Sequence, residues 1–510
     1  MHSAFQNERL RRSALTLALF VLALMLFSFN GTFQLGLNSD EVLKVRALMM
    51  GHYQYSHPLL MMEATRLATS LLRITDPQAI VEVGRQLSAF LGAMGVAALF
   101  LLAARRVGEM TATVLCLAGL ATPLLAVHAH YLKEDIWLFA FCALTVLSYQ
   151  RLCKAHDWSN ILLLGFSLGL AISSKAVGLF LVPVLVASAA MERGAARLQL
   201  LKAVGLGIAT AAAVVLLCNF RMLLDAEQAW AGLSREFRHG VVGNWDGMVF
   251  PIGYHLTHSI WPGLGGALLI FGGIGLVLTV IGWRRAAAVD RLLVIYAGSY
   301  YALIEVSPLK SGTDMVRYAL PLVLPAVYFG GITVDAIASW VSSRAPWPAE
   351  AARVGITAVL ALAFVPTAIT GIGLVAELKR DTRLAAESLL VDKDSEVVTE
   401  RYGTSFGFHV DSLAQLAGRS LNPNIRYLVA SSFMYERFAE GVGYGAQPYA
   451  QKIWAIYQQL FGLPYCEIQP RFMSYGFSNP TIRIIDLQAA RDAKPSGTNG
   501  ECSRFFDSTR

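Results

Sequence analysis

The sequence predicts a polytopic α-helical membrane protein, of about eleven transmembrane helices, with a small extracytoplasmic α/β domain at its C-terminal end. Three observations predict it. Hydrophobic residues make up 55% of the 510 and charged residues only 15%, where a soluble domain carries about 25% charged. Apolar residues recur in long uncharged runs close to the ~20 residues that a helix needs to cross hydrocarbon. From about residue 376 those runs stop, and a polar chain follows to residue 510. The formal charge of +7 does not imply nucleic acid, because the basic residues sit in short clusters between apolar runs, as topology determinants do. No nucleic-acid partner is read.

Spans are expected near 13–30, 84–104, 111–128, 135–151, 159–173, 176–190, 203–220, 260–282, 291–306, 316–338 and 353–375. The first follows Arg9, Arg11 and Arg12 but is closed by no small-residue cleavage site, so it reads as a span rather than a removed leader. The clusters Arg9/Arg11/Arg12, Arg105/Arg106, Arg151/Lys154, Arg193/Arg197/Lys202, Arg284/Arg285/Arg291 and Arg344/Arg353 then fall on one side, the cytoplasmic one by the positive-inside rule. Parity decides how the stretch 161–190 is read. As one helix it would run ~45 Å, longer than the ~30 Å core, and would move every later cluster outside. Two short helices with Ser173-Ser174-Lys175 at their outer tip are expected instead. Gly165 and Gly169 form a small-xxx-small pair, a helix-packing surface.

A transmembrane domain over 1–375 therefore presents two outer loops, 31–83 and 221–259, and a tail domain, 376–510, on the side opposite the basic clusters. The expected setting is the cytoplasmic (inner) membrane, with loops and tail periplasmic. In the tail a helix is expected over Asp381 to Leu390, strands near 396–400, 425–431 and 481–487, and helices near 433–439 and 448–461. Cys116, Cys142, Cys153 and Cys218 lie in or beside apolar runs and read as small buried hydrophobes. Cys466 and Cys502 fall in the tail and can form a disulfide if that region is extracytoplasmic, although sequence alone does not fix the pairing.

Ionisable residues concentrate at the outer ends of the spans. In the first outer loop, Asn38-Ser39-Asp40-Glu41 opens an amphipathic helix that Gly51 closes; Asn38 can cap it and Glu41 can complete a capping box. Asp40 is left over by that geometry at a helix N-terminus, which favours its ionised form, and is the better functional candidate. His57-Pro58 follows, either fixing a helix entry or meeting a phosphate or sugar hydroxyl. The turn His128-Ala-His130-Tyr131-Leu-Lys133-Glu134-Asp135-Ile-Trp137 is dense in charge. Its aromatic residues suit an interfacial belt, but two adjacent acids abutting an apolar helix are costly unless something uses them. Its histidines do not complete a zinc-type spacing, so no metal is assigned and a divalent ion stays the less favoured alternative. Lys175, and Arg317-Tyr318 in Arg317-Tyr-Ala-Leu-Pro321, are cations at the same boundary with an aromatic beside the second; they touch lipid headgroups or, facing inward, a carrier lipid's phosphate. His255 and His258 end the second loop and either line the same pocket or begin an interfacial helix.

Taken in order and on one membrane side, Asp40-Glu41, Ser-His57-Pro58-Leu, Tyr131-Leu-Lys-Glu-Asp135, Ser-Ser-Lys175, Arg317-Tyr-Ala-Leu-Pro321 and a tail opening Asp381-Thr-Arg383-Leu-Ala-Ala resemble the C-type membrane glycosyltransferases. The resemblance is to the bacterial branch related to protein O-mannosyltransferases and lipid A aminoarabinose transferase, and it covers most of the chain. It implies a polyprenyl-phosphate-linked sugar donor and an acidic residue of the first outer loop as base, here Asp40. Related enzymes often carry lysine-proline-proline where this chain has Ser56-His57-Pro58. A metal-using branch relies on carboxylates spaced by one residue in the second outer loop, whereas Glu134 and Asp135 are adjacent, which argues for a metal-free mechanism.

The expected activity is thus inverting transfer of a sugar to an acceptor hydroxyl of a glycan, lipid or protein. Asp40 would act as general base, with Glu41, His57, Lys133, Glu134, Asp135, Lys175, His255, Arg317 and Tyr318 binding substrate. The rival class is a transporter or flippase of lipid-linked sugars, which commonly shows related halves and breaks near mid-membrane. No matching halves are found here. A non-catalytic scaffold is a third reading for the tail, whose Tyr435, Arg437, Tyr444 and Tyr449 read as surface residues able to meet an acceptor or another protein.

Overall fold

The structure is a computed structural model that describes residues 2–53, 55–242, 252–308, 315–344, 347–420, 422–439, 448–491 and 500–502. Tyr444 lies outside them. All eleven expected segments are helical, although several are broken. Helix α1 (His2–Ser28) leads to α2 (Ser39–Met50) and α3 (Leu60–Leu71) of the first outer loop. Asn38 caps α2 by accepting from the Asp40 amide at 3.1 Å, and Gly51 closes it at φ +69°, a left-handed conformation that glycine adopts without a Cβ penalty. Helix α4 (Pro77–Val107) begins earlier than expected because Asp76 caps it and Pro77 supplies a preorganised first turn.

The segment expected over 111–128 is two helices, α5 (Glu109–Leu120) and α6 (Pro123–His128). Thr122 caps the second, and Pro123 cannot continue the first. Next come α7 (Glu134–Leu152), α8 (Trp158–Ser174) and α9 (Leu181–Ala190). Between α8 and α9 the helix breaks at Lys175, whose backbone is extended at φ −152° and ψ 135°, and Gly178 turns back against α8, where a Cβ would meet the Ala171 carbonyl at 2.6 Å. Helix α10 (Ala195–Cys218) packs along α8 and runs into the short α11 (Phe220–Leu224) and the amphipathic α12 (Ala226–Val242).

The segment expected over 260–282 is also broken. The stretch 256–264, which ends in α13 (Trp261–Leu264), and α14 (Gly266–Ile281) meet at 107°. The bend is at Gly265, φ +78°, where a Cβ would fall 2.0 Å from the Thr367 hydroxyl. Helices α15 (Ala288–Val306), α16 (Val323–Ser342) and α17 (Ala349–Ala376) complete the helical domain. Among the described residues, five helices are long and apolar enough to cross a membrane (α1, α4, α10, α17 and the 315–342 stretch that contains α16), and the bent pair makes a sixth if it is one span. Helices α5, α8 and the 176–190 stretch are apolar but shorter. The protein is a multi-pass membrane protein.

The tail is a small α/β unit. Helix α18 (Thr382–Leu390) precedes strands β1 (Val397–Glu400), β2 (Phe408–Val410) and β3 (Tyr427–Ser431). After these come α19 (Ser432–Tyr435), α20 (Pro448–Phe461), β4 (Tyr465–Ile468), β5 (Ile482–Asp486), α21 (Leu487–Arg491) and β6 (Gly500–Glu501). The sheet order is β2-β1-β3-β5-β4-β6. Parallel β1–β3 sets Val397 beside Tyr427, and antiparallel β3–β5 sets Val429 beside Ile484. The three predicted strands form the centre of the sheet, and every residue of β3 is buried, as its unbroken apolar run requires. The added strands β2, β4 and β6 are short and lie outside them. Cys466 and Cys502 are joined in a disulfide. Tyr435 and Arg437, expected on the surface, are buried, because the 432–438 segment packs under α20 and against β3; Tyr449 is exposed.

Candidate active site

Three pieces of chain converge at the outer ends of the helices. The first turn of α2 presents Asp40 and Glu41, with Lys44 one turn further on, where a residue four places on shares the helix face. The extended segment before α7 presents Lys133, and the first turn of α7 adds Glu134 and Asp135. The 315–322 turn before α16 brings Arg317 and Tyr318.

Charges alternate through the assembly. Lys133 is ion-paired with Asp40, and Arg317 stands between the two aspartates, 3.8 Å from Asp40 and 3.6 Å from Asp135. Lys175 holds Asp135 at 2.7 Å, and Lys44 holds Glu134 at 2.6 Å while also donating to the Leu132 carbonyl at 3.1 Å. These pairs explain how two adjacent acids are accommodated at the head of an apolar helix: each points to a different lysine. Burial alone would raise the Asp40 carboxyl, but Lys133 and Arg317 outweigh it and hold the group well below the usual carboxylate range. Burial pushes the Lys44 ammonium down to about 8, against which Glu134 only partly holds. Burial likewise lowers His57 from its ordinary value, so that at neutral pH its imidazole is uncharged.

A cavity of about 640 Å³ opens over this assembly. Asp40, Lys44, His57, Lys133, Glu134, Arg317 and Tyr318 line it. Asp135 and Lys175 do not; they stand behind the wall, with the Lys175 ammonium 4.5 Å from the centre of the Tyr318 ring. Two expected binding residues are placed elsewhere. Glu41 is fully buried, accepts from Arg85 Nε and Nη2 at 3.0 and 2.5 Å, and accepts from the Leu132 amide at 2.8 Å. It therefore makes no capping box and ties α2 to α4 and to the segment before α7. His255 is buried with its ring 2.9 Å from the Ser259 hydroxyl, and its amide donates to Glu305 at 3.2 Å, so it fixes the 252–260 turn rather than a cavity wall. His130 meets the carbonyls of Ala126 and Phe29 at 2.6 and 2.8 Å, a structural link between α6 and the end of α1. Among the described residues, no group of three or more His, Cys, Asp or Glu is arranged to hold a metal ion.

The cavity has two walls that the sequence left unassigned. Helix α12 contributes Arg235, Glu236 and His239; its amphipathic spacing after a span was the available signal. The tail contributes Arg401, Tyr402, Asp411, Gln415 and Arg437, and only Arg437 stood out beforehand. Tyr402 has φ +69°, a conformation that a bulky residue holds only where its surroundings over-determine it. Its ring lies 6.0 Å from that of Phe433 and 6.3 Å from that of Phe477.

Comparison with known proteins bears on the fold that carries this arrangement. The family model described as dolichyl-phosphate-mannose-protein mannosyltransferase matches residues 56–219, which carry His57, Lys133, Glu134, Asp135 and Lys175. No curated protein matches the sequence. Among solved structures, ArnT from Cupriavidus metallidurans bound to undecaprenyl phosphate superposes with a TM-score of 0.51 at 14% identity, over 94% of this chain and 98% of that one. Its apo state gives 0.52 at 14% identity, over 96% and 100%. The archaeal oligosaccharyltransferase AglB from Archaeoglobus fulgidus, in complex with an inhibitory peptide and a dolichol-phosphate, gives 0.55 at 12% identity, over 87% and 72%. The chain therefore has the fold of the membrane glycosyltransferases ArnT, over nearly its whole length, and AglB, and its residues 56–219 match the model of the dolichyl-phosphate-mannose-protein mannosyltransferases.

Proposed function

We propose that this protein is an inverting glycosyltransferase that moves a sugar from a polyprenyl-phosphate carrier to an acceptor hydroxyl. The observation that carries the reading is a carboxylate on the cavity wall, Asp40, flanked by the two cations Lys133 and Arg317. Two of the solved neighbours were captured with undecaprenyl phosphate or dolichol-phosphate, and a phosphate of that kind would find its charge matched here. The acceptor oxygen attacks the anomeric carbon, the bond from that carbon to the phosphate oxygen breaks, and polyprenyl phosphate leaves with the electron pair. Asp40 takes the acceptor proton. Arg317 and Lys133 stabilise the charge that develops on the leaving phosphate, inside a walled cavity where such contacts are stronger than in water. His57 and Glu134, on the same wall, orient the sugar.

The reading uses no divalent metal, since Asp40, Glu134 and Asp135, the carboxylates that a metal would recruit, are each already paired with a lysine. It places the cavity and tail outside the cytoplasm, supported by the basic clusters at the other helix ends and by a disulfide that needs an oxidising compartment. The sugar is a hexose or pentose, and the acceptor a glycan, lipid or protein that meets the tail wall.

The test is transfer from radiolabelled polyprenyl-phosphate sugar in proteoliposomes. Asp40→Asn keeps the shape and removes the base, and the rate is expected to fall about 10²- to 10⁴-fold; transfer near the parent rate would overturn the assignment. Discharge of the labelled lipid in detergent, where no gradient exists, separates an enzyme from a flippase.

A further inference from the structure

One turn of the tail sits directly on the catalytic segment. Residues 475–480 fold back on themselves: Gly476 (φ +59°) and Asn479 (φ +55°) are both left-handed, and the Tyr475 and Ser478 backbones exchange hydrogen bonds at 3.3 and 3.0 Å. A Cβ on Gly476 would lie 3.2 Å from the His128 ring. The Ser478 hydroxyl meets the Tyr131 hydroxyl at 3.1 Å. Between them Phe477 is buried, and the centre of its ring is 5.7 Å from the Lys133 ammonium and 5.3 Å from the Arg317 guanidinium. Those are the two cations that flank Asp40.

A buried ion pair at the start of the tail fixes this turn and the base together. Arg383 grips Asp381 through two hydrogen bonds at 2.7 Å, and both side chains are almost wholly buried. The remaining donors of the guanidinium are directed to two distant strands of chain. One bond goes to the Phe477 carbonyl at 2.6 Å, the other to the Leu37 carbonyl, the residue before the Asn38 cap that starts the helix of Asp40. The Asp381 carboxylate in turn accepts from the Asn479 amide at 2.8 Å. Arginine suits this place because its planar fork presents several donors in fixed directions, whereas lysine offers a point charge.

We infer that the tail completes the active site: Phe477 is a positioning residue that holds Lys133 and Arg317 against Asp40, and the Asp381–Arg383 pair sets the spacing between that ring and the base. The inference rests on the proposed function. It assigns the tail a part in the chemistry, apart from whatever its outer surface binds. A ring face attracts both cations, so it draws together two like charges that would otherwise repel, at the distance at which both reach one carboxylate.

The experiment compares Phe477→Leu, Phe477→Tyr and Arg383→Lys with the parent in proteoliposomes, reading kcat, KM for the polyprenyl-phosphate sugar, and the pH profile, with thermal unfolding as a check on folding. Phe477→Leu is expected to lower kcat on the order of 100-fold, as a small misplacement of reacting groups does, with little change in KM. Its acid limb should move to higher pH, because Lys133 and Arg317 no longer hold the Asp40 carboxyl down as firmly and Lys44 alone is more distant in effect. Phe477→Tyr, which keeps the ring, should restore the parent values. Arg383→Lys should act in the same direction as Phe477→Leu. Should the leucine variant not fold, Phe477→Met is read in its place. If the folded variants keep the parent kcat and acid limb, the inference is overturned while the proposed function stands; if the parent itself discharges no polyprenyl-phosphate sugar, both fall.

Discussion

Asp40 shows how a carboxylate can be kept ionised inside a cavity. Burial works against its charge, and two cations more than reverse that. A base with a lowered pKa is active once deprotonated, so the acid limb of kcat/KM should lie below the ~4 of an ordinary aspartate. Lys133→Met removes the closer cation and should move that limb upward while lowering the maximum rate; a pH profile in proteoliposomes checks both. The alkaline limb belongs to another group. Lys44 loses its proton near pH 8, and with it the partner that holds Glu134 in place. Transfer is therefore expected to fall above about pH 8, the value set by Lys44. Lys44→Arg, whose guanidinium stays charged, should extend activity to higher pH; an unmoved alkaline limb would remove Lys44 from the account.

At the scale of elements, the helices that carry the site depend on close backbone contacts. Helices α8 and α10 meet through Gly165 and Gly169, where a Cβ would fall 2.4 Å from the Thr210 Cβ and 2.6 Å from the Val214 Cβ. Without a hydrophobic drive between helices in lipid, such contacts supply most of the association. Gly165→Val should cost about 1–3 kcal/mol, the usual penalty of overpacking, and lower the unfolding temperature in detergent. Gly205→Ala on α10 is the control. Nothing lies within 4 Å of the added Cβ, so the better helix former should leave stability equal or slightly higher. The break at Lys175, at the end of α8, has a functional side as well, since it aims the ammonium at Asp135.

Across the whole molecule the tail and the helical domain share one apolar cluster, in which Phe33, Tyr131 and Val316 from the outer end of the helical domain pack with Tyr402, Phe433 and Phe477 from the tail. The site is built from both. Removal of divalent ions tests its chemistry as a unit: with EDTA, transfer should continue at the parent rate, and a loss reversed by added metal would refute the metal-free reading. The Cys466–Cys502 bridge closes a stretch of 36 residues at the far edge of the sheet. Loop-closure entropy gives it about 4 kcal/mol at most, so Cys502→Ser should lower the unfolding temperature of the tail while Asp40 and its cations, at the opposite contact, keep their function.

The apolar runs by themselves determined that this is a multi-pass membrane chain, because only helices satisfy their backbone within lipid. The cap at Asn38 and the β-rich runs of β1, β3 and β5 were legible from local sequence alone, whereas the Asp76 cap that starts α4 early was not read. Asp40, His57, Lys133, Glu134, Arg317 and Tyr318 were legible as charged or aromatic groups at the ends of apolar helices, and the structure brings them to one cavity. Glu41 and His255 carry the same signal, yet Glu41 is taken up by Arg85, 44 residues away, and the His255 ring turns to the Ser259 hydroxyl. Breaks at Thr122 and Gly265 escaped the apolar pattern because hydrophobicity reports burial, not direction. The tail wall and Phe477 escaped because a side chain's distance to residues far earlier in the chain is set by packing alone, and no periodicity in the sequence encodes it.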